Sequence, residues 1–183
     1  MHIYNYSLQV VNKAVELANR FHVRKEIKNN VYIAALLHDV GGIYPNDQRV
    51  LFAKRYGIEL VAKEYYFPLI IHQKISGYLW QEYFDIENTH ILDSIECHTT
   101  LRKKLSNWSF IFFLADKMAW DQNGIPPYLD DLLKQLESSL EEAALFYINY
   151  LLDHGIKVIH PWLLDAKSQL EKHIIKEMFV DWR

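Results

Sequence analysis

His38-Asp39 stands at the end of an unbroken apolar run, Val31-Tyr32-Ile33-Ala34-Ala35-Leu36-Leu37, and is followed by Val40-Gly41-Gly42. An imidazole and a carboxylate drawn into an apolar element are costly unless each is paired or ligates a cation. Any fold this chain adopts must therefore bring partners to that point. Successive residues of a helix project about 100° apart, so the pair cannot face one ion from the middle of a regular helical face. At a glycine-terminated helix end the two can converge on one ion or divide between two.

Further polar residues are embedded in apolar surroundings downstream. They are His72 in Phe67-Pro68-Leu69-Ile70-Ile71-His72, His98 in Ile95-Glu96-Cys97-His98-Thr99-Thr100, and Asp116 in Phe110-Ile111-Phe112-Phe113-Leu114-Ala115-Asp116-Lys117. If residues 108–120 are helical, Asp116 has Phe112, Phe113, Ala119 and Trp120 one turn away on either side, so its carboxylate lies on an apolar face. His72 has Leu69 and Ile75 beside it, and His98 has Ile95 and Leu101. Any one of these alone reads as a satisfied core histidine or an aspartate paired with a lysine. The whole set reads as a metal site, because imidazole and carboxylate suit iron, manganese and zinc.

The rest of the chain predicts helices throughout. Residues 4–21 carry a helical stripe of Leu8, Val11, Val15 and Ala18, and residues 26–40 form a buried helix stopped by Gly41-Gly42. Pro45-Asn46-Asp47 precedes a helix over 48–56 that ends at Gly57. Pro68 precedes one reaching about Phe84, Asn88-Thr89 can cap one running through His98, and Asn107 can cap the aromatic helix to Trp120. After the double proline Pro126-Pro127, residues 128–154 read as one helix with a bend near Ser138-Ser139, stopped by Gly155. Pro161 suits the first position of a last helix over 162–178. Leu132, Leu136, Leu140, Ala143 and Tyr147 read as core. His22, His90, His154, His160 and His173 read as surface or capping residues.

The order His-Asp, His, His, Asp across an all-helical chain resembles the HD superfamily of metal-dependent phosphohydrolases. Within it, the resemblance is to the branch of symmetrical diadenosine-tetraphosphate hydrolases with a dinuclear iron centre. The similarity runs from about Tyr6 to about Leu170 and rests on Ala34-Ala35-Leu36-Leu37-His38-Asp39, on Ile71 to Leu79, on Ile95 to Thr100 and on Phe113-Leu114-Ala115-Asp116-Lys117. It implies an all-α, single-domain HD-type helical bundle over 1–183, with His38, Asp39, His72, His98 and Asp116 as metal ligands. It also implies one or two divalent ions, iron or manganese, with Asp39 as the catalytic residue that anchors them, and a small nucleotide or dinucleoside polyphosphate as substrate. Lys117, beside Asp116, and Arg102, one turn after His98, are the cations best placed in sequence to meet phosphate oxygens.

Three departures bear on the substrate. Tyr6 stands where the family places a further ligand histidine, although His2 lies one turn earlier. Gly42 or Ile43 stands where that branch often has a lysine, and Met118-Ala119-Trp120-Asp121-Gln122-Asn123 replaces an arginine-bearing loop. The reading from a different class is a degenerate member that binds a nucleotide or a partner without turnover.

Net charge is −3, which argues against a broad polyelectrolyte surface for nucleic acid or anionic membrane. Arg102-Lys103-Lys104 is a local basic cluster that reads as a solvated turn. Cys97 is the only cysteine, so no disulfide framework forms within the chain, and buried, reduced and inert is its expected state. No apolar stretch approaches the roughly 20 residues of a membrane span, and no signal-like start is present. The expectation is a cytoplasmic protein, with room for a homodimer. A Gly-x-Ser-x-Gly elbow, a phosphate-binding glycine loop and a Cys-x-x-Cys pair are all missing from the sequence.

Overall fold

Helices make up all the regular structure among the described residues, as the spacing of apolar positions predicts. The structure is a computed structural model and describes residues 2–22, 32–83, 89–103, 106–119 and 124–180. Helix α1 (His2–Arg20) is followed by α2, described over residues 32–37, then a turn at His38-Asp39 and a 3₁₀ turn, Val40–Ile43. Then come α3 (Asn46–Arg55), α4 (Ala62–Tyr66), a second 3₁₀ turn, Pro68–Ile71, and α5 (His72–Tyr83). The remaining helices are α6 (Thr89–Glu96), α7 (Asn107–Met118), α8 (Leu129–Ser138), α9 (Leu140–Asp153) and α10 (Pro161–Val180). No helix among the described residues is long and apolar enough to cross a membrane.

Helix α7 is the centre. Every residue from Ser109 to Asp116 is buried, and a helix that is apolar nearly all round must be covered on all sides. It packs against α1, α6 and α9. Helix α1 turns Val10, Val11, Ala14, Leu17 and Ala18 into the core, and Leu132, Leu136, Leu140, Ala143 and Tyr147 are buried there too. A smaller apolar cluster of Ala53, Ile71, Ile75 and Leu79 joins α3 to α5.

The differences from the sequence expectations have local causes. The single helix expected over 128–154 is two, because Ser139 is extended (φ −161°) and its side chain accepts the Glu142 N–H at 3.0 Å, capping α9. Ser106, not Asn107, holds the N-cap position of α7. Helix α4 had no sequence signal beyond Glu64, whose carboxylate accepts the Val61 N–H at 2.8 Å and fastens its first turn. His160 is not a surface residue: it is 1% exposed. It caps α10 by accepting the Trp162 N–H at Nδ1, 3.2 Å away. Its Nε2 stands 3.4 Å from Glu64 Oε1, and Glu64 Oε2 in turn holds Lys74 Nζ at 2.9 Å. The expected start of the second helix at Glu26, the cap at Asn88, and Lys104, Trp120 and Asp121 lie outside the described residues, as do the side chains of His2 and His90.

Gly41 decides how closely the His38-Asp39 turn approaches α5. Its N–H donates to Ser76 Oγ at 2.8 Å. A Cβ built there would stand 2.3 Å from the His72 carbonyl oxygen and 2.8 Å from the Ser76 nitrogen, both backbone atoms that cannot swing away. Gly41→Ala is therefore expected to lower stability by about 1–3 kcal/mol in urea unfolding, the usual range for overpacking. Gly42→Ala, whose Cβ would meet only the Asp39 carboxylate at 3.3 Å from Oδ1, should cost less.

Candidate metal centre

Three imidazoles are fixed in the same way. His38 Nδ1 lies 2.7 Å from the Ala35 carbonyl, His72 Nδ1 2.6 Å from that of Leu69, and His98 Nδ1 2.8 Å from that of Ile95. A carbonyl oxygen only accepts, so each Nδ1 carries the proton and each neutral ring presents the lone pair of Nε2. This is how histidines that bind metals are oriented. The backbone provides the geometry: His38 leaves the end of α2, His72 opens α5 from a 3₁₀ turn, and His98 lies in the turn after α6.

His72 Nε2 and His98 Nε2 face each other at 3.0 Å. Two lone pairs at that distance repel unless one ring gains a proton or a cation lies between them. Burial holds the His98 imidazole well below its ordinary range, and the charges His38 and His72 would carry push it further down. Burial also lowers His72, despite the opposing pull of Asp39. Both rings are thus kept neutral. Asp39 Oδ1 lies 3.4 Å from His72 Nε2, and one ligand atom from each of Asp39, His72 and His98 falls within 4.8 Å of the other two. Ligand bonds of roughly 2.1 Å put two donors about 3.0 Å apart at a right angle and about 3.4 Å apart at a tetrahedral one. The donor types, and the spacings of 3.0 Å between the imidazoles and 3.4 Å from Asp39 to His72, fit a divalent cation.

A second group adjoins the first. The His38 ring meets the His98 ring edge-on, centroids 4.8 Å apart, and His38 Nε2 lies 3.4 Å from Asp116 Oδ1. His38 is 1% exposed, and its Nε2 is a fully buried atom with no hydrogen-bond partner among the described residues. Burial opposes charge on His38, but contact with Asp116 and the charges of Asp116 and Asp39 outweigh it and raise its pKa. Burial pushes Asp116 up, while the charge of Lys117, the His38 contact and the charge His38 and His98 would carry if protonated take it well below the usual carboxylate range. Tyr6 reaches this carboxylate from α1, its hydroxyl 2.8 Å from Asp116 Oδ1 and 2.9 Å from the Asp116 carbonyl oxygen. Lys117 Nζ holds Asp116 Oδ2. The position where the resemblance places a histidine is thus occupied by a phenol that donates to the aspartate.

Asp39, His72, His98, Asp116, Lys117 and Tyr6 line one cavity of about 520 Å³, together with Arg49. Arg49 has no signal in the sequence, since it lies among polar residues in α3. It is buried, and its Nε, Nη1 and Nη2 donate to the carbonyls of Tyr44 (2.9 Å), Leu69 (2.8 Å) and Gly42 (3.4 Å). The Leu69 carbonyl is also the one that orients His72. Gln73, likewise unread, takes the Thr99 N–H at 3.0 Å and donates to Thr100 Oγ1 at 3.1 Å, fixing the turn that presents His98. Leu101 leaves that turn at φ +54°, a left-handed conformation that is strained for a bulky residue.

Arg102 is not brought into this cavity. Beyond the left-handed turn its guanidinium donates to Glu96 Oε2 at 3.1 Å, pairs with Asp93 and lies over Trp162 at 5.6 Å. It lines a separate cavity with Lys74. Cys97 is buried, its Sγ 3.0 Å from the Asp93 carbonyl, and burial pushes its thiol up to about 12, which leaves it protonated and inert.

Residues 3–121 match the family described as HD domain. The chain is 49% identical over 147 residues to an uncharacterized protein in the pepC 5′ region of Lactococcus lactis subsp. cremoris, covering 80% of this chain and 75% of that one. It is 26% identical over 146 residues to a symmetrical bis(5′-nucleosyl)-tetraphosphatase of Bacillus subtilis, covering 79% of this chain and 74% of that one. A solved structure from Clostridium acetobutylicum, described as a predicted HD superfamily hydrolase involved in NAD metabolism, superposes with a TM-score of 0.83 at 24% identity over 93% of this chain and 89% of that one. This last likeness is one of fold.

The Arg49 clamp has a checkable consequence. A lysine keeps the charge but cannot span three carbonyls in a fork, so Arg49→Lys should lower stability by about 1–3 kcal/mol in urea unfolding, the cost of leaving buried acceptors unmet.

Proposed function

The chain belongs to the HD domain family, and from that premise we propose that it is a metal-dependent phosphohydrolase acting on a small nucleotide or dinucleoside polyphosphate. The observation that carries this reading is the 3.0 Å approach of His72 Nε2 to His98 Nε2 beside Asp39. The Bacillus subtilis relative, named for cleaving bis(5′-nucleosyl) tetraphosphates, supports the substrate class.

Asp39, His72 and His98 would hold one divalent ion, iron or manganese. His38 and Asp116 form an adjoining second place, completed less well because Tyr6 is a phenol. When bound, such an ion would lower the pKa of water toward neutrality and offset charge on the phosphoryl group. The Nδ1–H bonds of His72 and His98 to backbone carbonyls keep their Nε2 atoms facing each other beside Asp39, and that of His38 keeps its Nε2 toward Asp116, without reorganisation. Asp39 carries negative charge between the two groups and anchors the centre. Lys117, on the cavity wall, offers its ammonium to phosphate oxygens, taking its hydrogen bonds from Asp116 to substrate. Arg102, paired with Glu96 and Asp93, has no such role. The cytoplasm, where Cys97 stays reduced, suits this chemistry.

A second reading has one observation in its favour. The Tyr6 hydroxyl satisfies Asp116, so the second place has become a packing contact and the protein binds nucleotide without turning it over.

Metal analysis of protein purified without chelator, coupled to a screen of phosphate release from nucleotides with and without added manganese or iron, separates the two. The hydrolase reading expects metal and turnover. Turnover of no nucleotide by metal-loaded protein would favour the second. Asp39→Ala should lose bound metal and at least about 10²-fold in activity with helical circular dichroism unchanged; unaltered metal content would count against the assignment. A phenol with an unperturbed pKa of about 10 is a poor ligand for a divalent ion. Tyr6→His is accordingly expected to raise metal stoichiometry or turnover, and no gain in either would mean that Tyr6 does not limit the site.

A further inference from the structure

The cavity at the metal centre does not end at its polar wall. It shares Leu69, Thr99, Lys117 and Tyr147 with an adjoining chamber of about 260 Å³. The rest of that chamber's lining is mainly apolar, Phe67, Ile70, Leu151, Ile156, Val158 and Leu163, with Thr100 and His160 as its buried polar members. Tyr147 belongs to both walls, its ring held edge-on by Phe113 at 5.6 Å and by Tyr128 at 4.9 Å. Lys157 lies at the chamber's rim with Nζ over the Phe67 ring at 5.9 Å.

We propose that this chamber is a base subsite, taking the flat aromatic base of a nucleotide whose phosphates lie against Asp39, His72 and His98. The inference rests on the phosphohydrolase reading for where the phosphates go, and names what the rest of the substrate must be. The chamber adjoins the metal-centre cavity across Leu69, Thr99, Lys117 and Tyr147, so a ligand that reaches past these side chains would occupy both. Its apolar lining rewards a group that sheds water, and its small volume takes one ring system rather than an acyl chain or a peptide. A rigid aromatic ring pays little conformational entropy to enter a preformed apolar slot. The phosphates and sugar stay in the polar cavity, near Lys117.

The test is equilibrium binding by calorimetry to the full chain with manganese, so that it does not depend on turnover. The probes are adenosine 5′-monophosphate, ribose 5-phosphate and butyl phosphate. The nucleotide should bind at least about tenfold more tightly than either base-free probe, a difference of about 1.4 kcal/mol. Ile156→Trp, which fills the chamber, should erase that preference while leaving ribose 5-phosphate within about twofold of the unmodified protein. Leu151→Phe serves in its place if circular dichroism finds Ile156→Trp unfolded. Equal binding of nucleotide and ribose 5-phosphate, butyl phosphate binding as tightly as the nucleotide, or a preference that survives the filled chamber would each overturn the proposal. A base preference without phosphate release from any nucleotide would sink the hydrolase reading and leave the base subsite standing.

Discussion

The approach of two neutral imidazoles at 3.0 Å, His72 to His98, is the contact around which the rest of this molecule is arranged. It is unfavourable by itself, because both Nδ1 protons are committed to backbone carbonyls and two lone pairs are left facing. Burial removes the usual relief, protonation of one ring, by holding His98 well below its ordinary range. A chain can keep such a contact only if the surrounding structure enforces it, and strain of this kind concentrates where function needs it. A divalent ion held between them would turn the same contact from a cost into two ligand bonds.

The enforcement can be followed outward. Gly41 lets the turn that bears Asp39 lie directly on the backbone of α5, where any Cβ would collide. Arg49 ties three carbonyls together, among them the one that orients His72. Gln73 fastens the turn that presents His98. Helix α7, covered on every side, carries Asp116 into the centre and has no freedom to withdraw it. Breaking any of these supports would cost stability and loosen the donor set together, since a site left loose by even 1 Å loses much of its chemistry.

What could be read from the sequence follows from contrast. His38, Asp39, His72, His98 and Asp116 are polar residues in apolar runs, and the helical spacing around them was strong enough to place each at the right element or boundary. Arg49 and Gln73 have polar neighbours and gave no contrast, so their burial emerges only when α3 and α5 pack. His160, read as a surface or capping residue, does cap α10 through the Trp162 N–H, but its burial against Glu64 is a tertiary contact that periodicity does not show. Arg102 failed differently. Its proximity to His98 in sequence was sound, but the left-handed Leu101 turns the chain away and Asp93 and Glu96 claim its guanidinium. Tyr6 was identified as the departure from its family, yet its hydrogen bond to Asp116, 110 residues away in sequence, needed the fold.

Anomalous diffraction from crystals of the unmodified protein grown with manganese tests the central claim most directly. The account predicts a manganese peak roughly 2 Å from His72 Nε2, His98 Nε2 and an Asp39 oxygen, with the three Nδ1 contacts to Ala35, Leu69 and Ile95 unchanged. A map with no anomalous peak there, and the two imidazoles still facing each other at hydrogen-bond distance, would contradict it and make the pair a proton-sharing contact instead.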